Sequence, residues 1–204
     1  MKKIVLLAFA VLLFNQVNGQ NKGDFEFGFH AGLNISNVAA SNAENANSTI
    51  GFNVGGLAEY YFSEAWGLKM KAIYDQKGWG DGFFSDDNGT ITTDFNVNYL
   101  TVPVTANWHF GRTNNWYLSF GAYAGFLLSA EAQATGLDVK DGFESTDFGI
   151  ALGLGVKIPV SDFSKFIIEY DGQAGLSEVF IDNPGPTVRN GRSSINVGMV
   201  FIVN

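Results

Sequence analysis

At 204 residues the chain is long enough for one domain, and its 20 acidic against 12 basic side chains leave a formal charge of −8, the wrong sign for neutralising nucleic-acid phosphates. The absence of cysteine excludes disulfides, thiolate metal sites, cysteine nucleophiles and a lipoprotein anchor. Twenty-five glycines, four prolines and 15% aromatic residues suit an all-β chain with many turns.

Met1-Lys2-Lys3 precedes an apolar run from Ile4 to Phe14, followed by Val17-Asn18-Gly19. A basic start, a short apolar stretch and tolerated residues before a cleavage point describe a secretory signal peptide. The run is shorter than the roughly 20 residues of a membrane helix. Residues 1–19 are therefore expected to be removed between Gly19 and Gln20, leaving 20–204 as a single domain. Loss of Lys2 and Lys3 would take the formal charge from −8 to −10.

Eight segments with a two-residue period follow. Phe25 to Ser36 alternates apolar odd positions with polar, charged or glycine even ones. Ile50 to Phe62 sets Phe52, Val54 and Tyr60 against Asn53, Leu57 and Glu59. Trp66 to Lys77 sets Leu68, Met70 and Tyr74 against Lys69, Lys71, Asp75 and Lys77. Asn98 to Phe110 sets Leu100, Val104 and Trp108 against Thr101, Asn107 and His109. Trp116 to about Gln133 opposes Leu118, Phe120 and Phe126 to Tyr117, Ser119, Tyr123 and Glu131. The sixth opposes Phe148, Ile150, Leu152 and Leu154 to small residues and Lys157. The seventh opposes Ile168 and Tyr170 to Glu169, Asp171 and Gln173, and the last opposes Ile195 to Val203 to Ser194 and Asn196. Strand side chains alternate between faces, so each segment offers one apolar and one polar face.

Connections alternate in length: short at 63–65, 111–115 and 159–162, long at 37–49, 78–93, 134–142 and 177–191. Outer-membrane barrels have short periplasmic turns and longer outer loops. The expected fold is an all-β, eight-stranded, antiparallel up-and-down transmembrane β-barrel with both termini on the periplasmic side.

A soluble barrel would bury the apolar face instead. Two features favour the membrane form. Glycines such as Gly28, Gly32, Gly121, Gly153 and Gly155 stud the polar face, as a narrow interior requires. Aromatic residues bracket the turns (Tyr60, Phe62, Trp66, Trp108, Phe110, Trp116) and lie near the long loops (Trp79, Phe83, Phe84, Phe148), where an interfacial girdle is expected.

The blocks Gly28-Phe-His-Ala-Gly-Leu-Asn-Ile-Ser-Asn37, Trp66-Gly-Leu-Lys-Met-Lys-Ala-Ile-Tyr-Asp-Gln-Lys-Gly78 and Asn98-Tyr-Leu-Thr-Val-Pro-Val104 are joined by two more, Tyr117 to Ser129 and Asp147 to Gly155. Together they resemble the outer-membrane β-barrel domain family of Bacteroidetes, the porin-family or PorT-like small barrels, over essentially the whole mature chain. The resemblance implies an outer-membrane location with lipid and lipopolysaccharide around the barrel, and contact with the barrel-assembly machinery during biogenesis. An envelope protein partner is a further implication, since the namesake serves a secretion apparatus. Many such barrels end in an aromatic residue, whereas here the last one is Phe201.

The polar faces collect Glu26, His30, Glu59, Lys69, Lys71, Asp75, Lys77, His109, Glu131, Lys157, Glu169 and Asp171. An eight-stranded barrel is just wide enough for its own side chains, so these charges are expected to pair as a plug rather than line an open pore. Neither His30 nor His109 has a serine at a telling spacing, so no catalytic residues are assigned. Asp86-Asp87-Asn88-Gly89 lacks the spacing of a calcium loop and reads as a solvated turn, with no metal or cofactor assigned. The expectation is a non-enzymatic structural or interaction barrel; a narrow channel and a lipid-modifying enzyme are the alternatives.

Overall fold

A computed structural model describes residues 20–40, 46–86 and 89–203, so the expected signal peptide and the acidic tip at Asp87 and Asn88 lie outside the described residues. Eight long strands follow one another: β1 Phe25–Ala40, β2 Asn47–Tyr61, β3 Trp66–Asp86, β4 Gly89–Phe110, β5 Trp116–Ala132, β6 Thr146–Ser161, β7 Ser164–Gly175 and β8 Val188–Val203. Each pairs antiparallel with its chain neighbours. β1 also pairs with β8, from Phe25↔Val203 to Ala40↔Val188, and this contact closes the ring. Closure leaves no edge strand within the ring, and only the β3–β4 hairpin beyond Gly80 and Phe95 projects past it among the described residues. Among the described residues no helix is long and apolar enough to cross a membrane.

The two faces are inverted relative to a soluble protein. Leu33 and Leu152 are 67% and 59% exposed, whereas Glu59 and Asp75 are 0% exposed. The apolar row of every strand forms the outer wall, and the polar row fills the lumen. Gly28, Gly121 and Gly198 face inward where a Cβ would strike a neighbouring backbone carbonyl. Small side chains on this row let the ring close around larger ones.

The strands run further than the alternation suggested, because polarity reverses at the end carrying the long connections. There the inward row of β4 reads Thr93, Phe95, Val97 and the outward row Asp94, Asn96, Asn98. A rule of apolar-outward alternation misreads this stretch as loop. β3 and β4 consequently continue as a hairpin through Asp86↔Gly89. Two irregularities punctuate this end. β3 carries an extra residue between Trp79 and Gly82, where Asp81 adopts φ 56°. In β5, Leu128 is inserted between Leu127 (opposite Tyr99) and Ser129 (opposite Asn98).

That insertion corrects one expectation. Up to Leu127 the odd residues of β5 face the lumen, but beyond Leu128 the phase switches, so Ala130 and Ala132 are buried and Glu131 is exposed on the outside. Glu131 is therefore not part of the lumen. Trp79 is a second correction. It keeps the phase of Lys77, points inside and is 3% exposed, so it is no interface residue.

Candidate functional site

Among the described residues, six cations (Lys69, Lys71, Lys77, Lys157, Lys165, Arg192) and six anions (Glu26, Glu59, Asp75, Asp147, Glu169, Asp171) lie inside the wall, all buried. They sort into three levels, each balanced in charge, and the ladder register determines which strands meet at each level. Near the short turns, Lys157 donates to Glu59 at 2.7 Å, to Tyr61 Oη at 2.6 Å and to Glu26. Lys165 meets the other oxygen of Glu26 at 2.8 Å. His109 Nε2 lies 2.7 Å from Glu59, which also accepts from Asn107 at 2.9 Å.

At mid-height Lys69 sits 2.6 Å from Glu169, while Lys71 bridges Glu169 and Asp171. Arg192 donates to Asp171 at 2.7 Å and faces Asp75 at 3.3 Å. Asn34 ties Asp75 to the backbone of β2 and β3, and Asn196 donates to Asp171 at 3.0 Å. The third level is Lys77, 3.0 Å from Asp147 and within 5.0 Å of the ring centres of Tyr99 and Tyr123. A buried charge is tolerable only when paired and hydrogen-bonded. Every one of the twelve has an oppositely charged partner within 4.0 Å.

Above the third level the lumen becomes apolar. Val38, Trp79, Phe95, Val97, Ala130 and Ala132 face one another, and Phe143 and Val179 descend onto them from two connections. Trp79 stacks on Phe95 with centroids 5.0 Å apart, and Phe180 meets the indole edge-on. The two connections are joined to each other: Phe143 bridges to Phe180, and the Glu144 amide donates to the Val179 carbonyl at 2.9 Å. Glu178 organises the second connection, accepting from the amides of Val179, Phe180 and Val188. Burial pushes its carboxyl up, but these amides and the Asn183 side chain together hold it below the usual carboxylate range.

The sequence-expected residues Glu26, His30, Glu59, Lys69, Lys71, Asp75, Lys77, Lys157, Glu169 and Asp171 all lie in the lumen. His30 stands apart, since both of its ring nitrogens lack a hydrogen-bond partner. Sequence reading missed Lys165, Asp147 and Arg192. All three share the parity of the polar face of their strands and fell just beyond the assumed strand limits. Tyr60, Phe62, Trp108, Trp116 and Phe148 stand on the outer wall at the strand ends, with Trp66 and Phe110 half-exposed beside them. The side chains of Phe83 and Phe84 lie outside the description. Among the described residues no group of three His, Asp or Glu side chains is placed to hold a metal ion.

The family model for the outer membrane protein β-barrel domain matches residues 14–180. The chain belongs to this family. Solved barrels share its fold. The outer membrane protein OprG of Pseudomonas aeruginosa superposes with a TM-score of 0.58 at 13% identity, covering 93% of this chain and 100% of that one. Neisserial surface protein A gives 0.50 at 20% identity, covering 84% and 95%. No curated protein matches the sequence significantly. This outer-membrane barrel thus lies with its exposed apolar wall in lipid, and the rows from Leu33 to Leu152 are its hydrocarbon-facing belt.

Proposed function

We propose that this barrel is a non-enzymatic structural and interaction component of the cell envelope that works through its aqueous ends. The observation that carries the reading is the lumen: twelve charges paired among themselves beneath an aromatic plug occupy the space a pore would need. The surface at the long-loop end supports an electrostatic partner. Among the described residues there, Asp81, Asp94, Glu131, Asp138, Asp141, Glu144, Glu178 and Asp182 face only Lys140 and Arg189 as basic groups. Such a field favours a partner presenting basic groups, and its attraction weakens as salt rises.

The finer reading includes export by cleavage at Gly19, orientation with the short turns in the periplasm, and kinship to the PorT-like barrels with a secretion-accessory role. The test pairs two measurements. A photo-crosslinker at the exposed Ile181, in cells, is expected to trap one envelope protein reproducibly, with capture reduced at high salt. Planar-bilayer recordings of the purified barrel are expected to show no unitary conductance. Steady conductance steps would overturn the reading in favour of a narrow channel. Altered lipid A mass on deletion of the gene would overturn it in favour of a lipid-modifying enzyme.

A further inference from the structure

The lumen is not filled evenly. Between Asp147 and Lys157 the inward row of β6 is Gly149, Ala151, Gly153 and Gly155, so at mid-height this side of the ring contributes almost no side-chain volume. Lys69 and Lys71 from β3 and Glu169 and Asp171 from β7 reach across the barrel to one another, leaving a gap beside Gly153. The gap is a cavity of about 20 Å³ bordered by those four charges, Ser119 and Gln173.

Ser119 and Gln173 are only 7% and 6% exposed. Neither the Ser119 hydroxyl nor Gln173 Oε1 has a hydrogen-bond partner, although the four charges bordering the same cavity are paired with one another. Buried oxygens without partners are unfavourable, and native interiors satisfy them with protein or with water. A cavity holds a water when it offers roughly 10–15 Å³ and two to four polar contacts. This one meets both conditions.

We infer that the mid-lumen cavity binds a single internal water that exchanges hydrogen bonds with Ser119 and donates to Gln173 Oε1. The site favours a neutral guest. Lys69, Lys71 and Arg192 already balance Glu169, Asp171 and Asp75 at this height, so an ion would add net charge in a dry interior. Its volume admits nothing much larger than water. The barrel then carries a fixed solvent molecule between the level at Lys157 and the level at Lys77.

The test uses the full barrel folded in lipid nanodiscs, with magnetisation transfer from water to the Gly153 amide and the Gln173 side-chain amide read by NMR. Gly153→Ala places a methyl in the cavity. Its Cβ would lie 3.3 Å from the Tyr170 carbonyl and 3.5 Å from the Cβ atoms of Asp171 and Ser119, a tight but accommodated fit. Strong transfer in the wild type, falling to background in Gly153→Ala, is the expected result. Transfer relayed merely by the Ser119 hydroxyl proton would survive that substitution and overturn the inference. If Gly153→Ala does not fold, Ser119→Val fills the same space and removes the hydroxyl, and loss of transfer at Gln173 is again expected. Wild-type transfer no greater than in the filled variants would show a dry cavity.

Discussion

Lys157 is the residue on which most of the turn-end level depends. One ammonium holds two carboxylates from different strands, Glu26 of β1 and Glu59 of β2, together with the Tyr61 hydroxyl. Removing one member of a buried ion pair leaves an uncompensated charge and costs about 3–5 kcal/mol, whereas replacing the whole pair by apolar groups is often neutral. Lys157→Met is therefore expected to lower the urea stability of the detergent-folded barrel by that amount. Adding Glu59→Gln should return part of it, and a double-mutant cycle between positions 59 and 157 should show coupling of about 0.5–3 kcal/mol. Additive effects would mean that the pair does not act as a unit.

At the scale of elements, the connection from β7 to β8 is held by Glu178 rather than by an apolar core of its own. Because its folded pKa is depressed, Glu178 stabilises the connection above the pKa of the unfolded chain, about 4.3. That stability is lost as pH falls through the lower folded value. Protection factors of the Val179 and Val188 amides against hydrogen exchange should accordingly fall on acidification below that range. Glu178→Ala should produce the same loss of protection at neutral pH, with β5 and β6 unaffected. Protection that survives both would assign the connection's order to Phe143 and Phe180 instead.

The same scale shows what could be read from the residues in advance. Strand number and order follow from the two-residue period, whereas the inward parity of Glu59, Lys71 and Glu169 also needed the glycines on the polar row and the aromatic residues at the strand ends. A single inserted residue was enough to put Glu131 on the wrong side, since a one-residue slip turns every later side chain over. Nothing in the local sequence marks Leu128 as that residue. Trp79 was misplaced by its nearness to a long connection, although its parity with Lys77 already pointed inward. Which lysine meets which carboxylate was not legible, because partners such as Lys157 and Glu26 are separated by 131 residues and joined only by ring closure.

For the whole molecule, charge is partitioned by compartment. Among the described residues the paired lysines, arginine and carboxylates of the lumen sum to zero, the belt carries no charge, and the excess of acid lies at the aqueous ends. The belt is therefore the surface least tolerant of a new charge. Leu152→Arg, near mid-belt, is expected to cost about 2–4 kcal/mol of folding free energy in phospholipid vesicles. The same substitution in a water-facing wall would be close to neutral, so equilibrium folding titrations of this variant separate the two environments directly.

The seam between β1 and β8 sets the order of events at birth. Sixteen consecutive residue pairs along this contact join the first strand to the last, and they cannot form until the strand ending at Val203 has been made and delivered. Until then β1 would have one unmatched hydrogen-bonding flank, and the lysines and carboxylates that cancel across the finished barrel would still be separated along the chain. A nascent chain therefore cannot acquire its closed form progressively from its beginning. It must be escorted whole, and loss of the final strand should abolish closure rather than yield a seven-stranded remnant.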